Sequence, residues 1–385
     1  IAHSAVRTSV RFVRFVRLRP ETTVTCATCT ARSEKRASIP GVFHSGKNLL
    51  GAAAVLLLLV AASCRSIPRY AAAVPVAGDE IIVAGERFHT GTRVVTWWEN
   101  VGYDTYKAVS AVTLRQPAVT SEAPPQSGES SSDVTALQDV VDQLVLHYDA
   151  AGLSKHCFEA LKARQLSVHF LLDIDGTIYQ TLDLRERASH ATIANNRSIG
   201  IEIANIGAYP PSASQPLDRW YRRDQTGGTV LTIPAPASAT GVLTANFRGK
   251  PARSEPVTGV VQDQRLRQYD FTPEQYAALG KLTAALCRVF PKIRPQYPHA
   301  FLSDQPVMRK LTDRRLARYG GVLGHYHIQE NKIDPGPAFD WQRYMSSVRR
   351  ELNLNPAEGM ATKRTKNAKA ESSAQSNLRK DSLPK

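Results

Sequence analysis

The chain has 385 residues, a formal net charge of +15 and a hydrophobic fraction of 42%. That length supports a sizeable core, and the modest apolar fraction fits a globular chain with polar ends. Residues 1–70 hold 11 basic against 2 acidic side chains, residues 357–385 hold 7 against 3, and the 286 residues between hold 31 against 29. The charge therefore sits in the two ends, which disfavours a nucleic-acid-binding core, whose basic footprint would lie within the folded domain.

Residues 47–64 read KNLLGAAAVLLLLVAASC. Lys47 precedes an apolar run, residues 49–60, that is shorter than the roughly 18–20 residues of a spanning helix. Small residues follow it, which is the pattern of an export signal. A cysteine directly after Ala61-Ala62-Ser63 resembles the lipobox of bacterial lipoproteins. That resemblance implies cleavage before Cys64, its acylation, and attachment to a membrane of the bacterial envelope, facing the periplasm and expected at the outer membrane. The other reading is an ordinary signal peptide or anchor with an incidental cysteine. No methionine precedes Met308, and residues 1–41 are expected to lie upstream of the true start, with Val42 read from a non-AUG codon. Cys26 and Cys29 form a C-x-x-C without a second pair, which argues against a zinc ribbon. Cys157 and Cys287 fall in apolar helical patterns and read as buried residues, with a disulfide between them left open.

Residues 64–117 form a small β-rich segment, in which β-branched and aromatic runs alternate with Gly, Asn and Asp. His89, Trp97 and Trp98 are read there as core packing in preference to a sugar-contacting surface. Residues 118–133, AVTSEAPPQSGESSSD, form a linker. The main domain spans 134–350. Leu144-Val145-Leu146 reads as a buried strand ending at His147, and LSKHCFEALKARQ follows with helical spacing. VHFLLDIDGTIYQTLDL places two strands around an Asp175-Gly176 turn. SIGIEIANIG is another apolar run, with Glu202 embedded in it.

Residues 208–266 read as an insertion with a strand pair near 229–233 and 241–247. FTPEQYAALGKLTAALCRVF is a helix with Thr272 as N-cap, Pro273 at the first position, Gln275 completing a capping box, and Phe271 and Tyr276 as a hydrophobic staple. GGVLGHYHI reads as a strand, and residues 351–385 form a basic disordered tail. Strands that alternate with helices and also pair by a hairpin predict an α/β fold with a mixed central sheet flanked by helices.

The stretch 324–341, GHYHIQENKIDPGPAFDW, gathers reactive groups beside rigid ones. A catalytic zinc site needs three protein ligands and an open position. His147 and His325 each follow an apolar run. Asp334 precedes Pro335, which favours an extended backbone, and in an extended chain Lys332 projects to the same side as Asp334. The residues alone give a candidate His/His/Asp site, with the pairing of His147 and the distant loop left open.

LVLHYD, VHFLLDIDGTIYQ, ASHATIANNRSIGIEIAN and GHYHIQENKIDPGPAFDW occur in that order. Together they resemble the zinc-dependent N-acetylmuramoyl-L-alanine amidases of type 2, relatives of phage amidases and peptidoglycan recognition proteins. The resemblance covers roughly residues 138–345, interrupted by the insertion. It implies that His147, His325 and Asp334 bind Zn2+, that Glu202 is the acid/base and that Lys332 is the catalytic lysine. His327 falls outside the ligand positions, and His169, which matches a recurring family histidine that is not a ligand, reads as structural or as a support behind the ligands. Where the family often has Trp-His-Ala-Gly, this chain has Ser189-His190-Ala191-Thr192; His190 is kept and is expected to line the substrate groove. The implied substrate is peptidoglycan, cleaved between N-acetylmuramic acid and L-alanine, and a monomer is expected. The alternative is a non-catalytic peptidoglycan-binding envelope lipoprotein; such family members typically lack a zinc ligand.

Overall fold

The computed structural model describes residues 70–116 and 133–353, apart from Ala235 and Leu302. The export signal, Cys26, Cys29 and Cys64, nearly all of the linker, and the tail beyond Asn353 lie outside the described residues. In chain order the strands are β1 (Glu80–Val83), β2 (Glu86–His89), β3 (Val94–Thr96), β4 (Thr113–Leu114), β5 (Gln143–Tyr148), β6 (Phe170–Leu172) and β7 (Ile178–Gln180). They continue with β8 (Glu186–Arg187), β9 (Ser198–Ile203), β10 (Tyr221–Arg223), β11 (Thr229–Leu231), β12 (Val257–Val261), β13 (Gln264–Gln268) and β14 (Gly321–Gly324). The longer helices are α1 (Asp133–Val140), α2 (Ser154–Ala163), α3 (Pro273–Val289) and α4 (Trp341–Asn353).

Six strands form a mixed sheet in the order β14-β5-β9-β6-β7-β3. All neighbours are parallel except the β6–β7 hairpin, which turns through Asp175-Gly176. The apolar runs of β5, β9 and β14 are nearly continuous because both of their faces are covered. On one face Leu144, Leu146, Phe170, Leu172, Ile199 and Ile201 pack in the main core with residues of α3 and α4. Each such fully buried side chain contributes about 1.5–3 kcal/mol. The alternate residues point the other way: Val145 and Leu323 meet Leu311 and Leu316, while Leu171 and Tyr179 meet Cys157 and Leu161 of α2. Cys157 and Cys287 therefore lie on opposite faces of the sheet with both thiols free, which rules out the disulfide left open from sequence.

Residues 80–96 are built into this domain, although the sequence reads as a segment apart. β3 is the edge strand of the sheet, and Ile81 and Val83 belong to the main core. The join is partly made by side chains: Gln180 bonds both the N–H and the carbonyl of Ile82, and Asp183 accepts from the N–H groups of Ala84 and Gly85. Trp98, expected in the core, is 48% exposed and meets Trp97 edge-on at 4.5 Å. Within the insertion, β11 lies where a strand was expected, but it pairs with β10, and residues 241–247 form no strand. The β12–β13 hairpin was not anticipated. Its turn residues Gln262 and Asp263 both have positive φ without the Asn-Gly signal that such turns usually carry.

The two ends of the described domain meet on its α3–α4 side. The Ala71 N–H donates to the Leu352 carbonyl at 3.2 Å, and Arg288 donates to the carbonyls of Ala71 and Glu351. Helix α3 starts at the expected capping box: Thr272 Oγ1 accepts from Gln275 N–H at 3.1 Å, and Gln275 Oε1 accepts from Thr272 N–H at 2.9 Å. Thr272→Ala is expected to lower unfolding free energy by about 1–2 kcal/mol, measured by urea denaturation as a fall in midpoint at constant slope.

Candidate metal centre

The site is built at the C-terminal ends of three adjacent parallel strands. In the β5–β9 ladder His147 lies opposite Glu202, and in the β14–β5 ladder Gly324 lies opposite Leu146. His325, the next residue, thus arrives beside His147. A Cβ on Gly324 would stand 2.7 Å from Pro335 Cδ, so the missing side chain lets the loop fold back against the strand end. The Tyr326 N–H donates to the Asp334 carbonyl at 3.2 Å and closes that loop.

His147, His325 and Asp334, named from sequence, come together and are buried. Their ligand atoms lie within 4.8 Å of one another. His147 Nδ1 is 2.8 Å and His325 Nδ1 is 3.0 Å from the same atom, Asp334 Oδ2. Each of these pairs requires a proton or a cation between its atoms. Burial, reinforced by repulsion from His325, pushes the His147 pKa down to about 4. Burial works against the Asp334 charge, but the attraction of His325 and the close approach of both imidazoles outweigh it and hold the carboxyl well below its usual range. Neutral imidazole and ionised carboxylate are the forms that bind a metal, and two histidines with one carboxylate match the donors that zinc takes.

Glu202 faces the same cleft. Its Oε2 is buried and has no hydrogen-bond partner. Burial, then the nearby Asp334 and Asp149 charges, push its pKa well above the ordinary value, while Lys332 pulls the other way. The cleft, about 220 Å³, is lined among others by Tyr148, Arg164, His190, Glu202 and Lys332. His190 is among the residues lining this cleft and also touches His147. His327 sits apart: its Nδ1 accepts from Gly324 N–H at 2.8 Å, and its Nε2 donates to the Val307 carbonyl at 2.6 Å. The His169 ring lies under β9, where its Nδ1 accepts from the Gly200 N–H at 3.0 Å.

Sequence reasoning passed over Asp149, Ser198 and Gln329. Asp149 lines the cleft, and burial pushes its pKa up to about 7. Gln329 Oε1 lies 2.7 Å from His325 Nε2, and its place four residues after His325 in the quoted loop was the available signal.

Residues 137–224 match the family described as N-acetylmuramoyl-L-alanine amidase (Amidase_2). The matched stretch holds His147 and Glu202 and ends before His325, Lys332 and Asp334, which only the fold brings to it. Over 106 residues the chain is 31% identical to the 1,6-anhydro-N-acetylmuramyl-L-alanine amidase AmpD of Haemophilus influenzae, covering 27% of this chain and 44% of that protein. The chain thus spans less than half the length of that relative. Among solved structures it is similar to the N-acetylmuramyl-L-alanine amidase AmiD from E. coli, at 18% identity over 61% of this chain and 65% of that one, with a TM-score of 0.32. It is also similar to the Ph2119 endolysin of a Thermus scotoductus bacteriophage, at 14% identity over 66% of this chain and 99% of that one, with a TM-score of 0.29.

His147→Ala is expected to reduce bound zinc from about one equivalent per chain to background, read by elemental analysis after dialysis against trace zinc. Asp334→Ala should do the same.

Proposed function

We propose that the protein is a zinc-dependent N-acetylmuramoyl-L-alanine amidase. On this reading it hydrolyses the amide between N-acetylmuramic acid and the L-alanine of the peptidoglycan stem peptide, in cell-wall remodelling or recycling. The observation that carries the proposal is the convergence in one cleft of the His147, His325 and Asp334 donors with the unpartnered carboxyl of Glu202 and the Lys332 cation. The family match over His147 and Glu202 and the AmpD relative support the substrate class.

His147, His325 and Asp334 would hold the ion. When bound, zinc supplies a Lewis acid that polarises a carbonyl and acidifies water. Glu202 takes the proton of the attacking water and returns it to the departing amine of L-alanine. Burial raises its pKa above the ordinary carboxylate value, which strengthens it as a proton acceptor. Lys332 holds positive charge over the cleft, where negative charge develops on the carbonyl oxygen. Such placed charge is worth about 3–4 kcal/mol where water is excluded. Leu161 and Arg164 also line the cleft, and on this reading the stem peptide would run along them.

The export signal and Cys64 extend the proposal to a periplasm-facing lipoprotein of the bacterial envelope, expected at the outer membrane, where a monomer meets peptidoglycan directly. A peptidoglycan-binding protein without turnover is the competing reading, and the same assay separates the two. Mass spectrometry of sacculi digested with zinc-loaded protein should show stem peptides with a free L-alanine amine. Glu202→Ala should cut that release by at least about 10³-fold while zinc content stays at the parent level. Full release by this variant would sink the assignment, and no release by the parent would favour binding alone. In the native envelope, Cys64→Ser should move the protein from the membrane to the soluble fraction.

A further inference from the structure

The outer nitrogens of both candidate histidine ligands are occupied. His147 turns Nδ1 toward Asp334 and Nε2 toward His190 Nδ1, 3.1 Å away. His190 Nε2 lies 3.2 Å from Ser198 Oγ, and Ser198 Oγ donates to the Ala194 carbonyl at 2.8 Å. With its proton committed to Ala194, the Ser198 oxygen accepts from His190 Nε2–H. A neutral His190 then carries a lone pair on Nδ1 and accepts from His147 Nε2–H. His147 is left with its own lone pair on Nδ1, as a metal ligand requires. Donors therefore run in one direction, from His147 through His190 and Ser198 to Ala194, and one tautomer is admitted at each ring.

The His190 ring is also held in place. It packs against Gly200 of β9, where a Cβ would stand 2.6 Å from Nδ1. Its backbone is pinned as well, because Asn195 Oδ1 accepts from the N–H groups of His190 and Ala191 at 3.1 and 2.6 Å. The imidazoles of His147 and His190 meet nearly perpendicular, at 85° and 5.3 Å between centroids. His325 has a shorter version of the same support, with Nε2 2.7 Å from Gln329 Oε1.

We propose that His190, backed by Ser198, is a positioning residue that fixes the tautomer and orientation of His147 for metal binding, and that Gln329 does the same for His325. The inference rests on the metal reading above. It gives His190 a task separate from lining the substrate groove. A residue that only lined the groove would change substrate binding and leave metal affinity alone.

The test is zinc affinity of the full-length protein, measured by competition with a chromophoric chelator, with circular dichroism and thermal melting to check folding. His190→Leu should weaken zinc binding by about 10–100-fold, the usual effect of removing such a support. His190→Asn keeps an acceptor oxygen near the place of Nδ1 and should restore most of that loss. Gln329→Leu should weaken binding to a similar degree. If His190→Leu does not fold, Ser198→Ala removes only the far end of the chain and should still weaken zinc binding several-fold. Parent-level affinity in folded His190→Leu would overturn the proposal. So would His190→Asn performing no better than His190→Leu with both folded, or parent-level affinity in Ser198→Ala where His190→Leu does not fold. A parent protein that binds no zinc would instead overturn the metal reading, and this inference with it.

Discussion

The in-register pairing of β14, β5 and β9 is the constraint on which the site depends. Neighbouring strands stand about 4.8 Å apart, so residues at matching positions on three adjacent strands are delivered side by side. His147 and Glu202 hold such positions, and His325 follows directly on the last paired residue of β14, Gly324. The ladders thus bring the acid/base and one metal donor together and deliver the chain to the second donor, at the end of a parallel sheet where ligands commonly bind. A slip of one residue in β5 or β9 would turn its functional side chain into the opposite face.

The third donor comes from a loop, and loops need bracing to hold a side chain to within a fraction of an ångström. The insertion and the residues directly after it supply much of that bracing. Gln262, at the β12–β13 turn, donates to the carbonyls of Tyr326 and Gln329, both at 2.9 Å. Gln268, at the end of β13, donates to the Pro335 carbonyl at 3.1 Å and accepts from the Ala338 N–H at 3.0 Å. A segment that reads in sequence as an interruption is therefore part of the frame holding Asp334 against two buried imidazoles, 187 positions from the first of them.

Much of this was legible along the chain. The runs at 143–148, 198–203 and 321–324 carry the continuous apolar character of strands covered on both faces, and Asp175-Gly176 and Thr272-Pro273 mark a turn and a helix start by local chemistry. The five residues named for metal and catalysis line one cleft. What stayed hidden depends on contacts that local pattern does not encode. Membership of β3 in the sheet is set by a three-residue pairing, with Gln180 and Asp183 anchoring the adjoining β1–β2 hairpin. The β12–β13 turn uses Gln262 and Asp263 where glycine or asparagine would have signalled it. The partners of the outer imidazole nitrogens, His190 and Gln329, are decided by which rings lie next to each other in space, and His190 carried a different expectation for that reason.

The meeting of Ala71 with Leu352 has a mechanical consequence. The first and last described residues of the domain lie at neighbouring points beside α3 and α4, the layer packed on the face of the sheet opposite the one that carries the His147 and Glu202 side chains. Arg288 ties the two together through the carbonyls of Ala71 and Glu351. A pull on either end of the domain would load that clasp first, and the cleft on the far side of the sheet would be spared the strain.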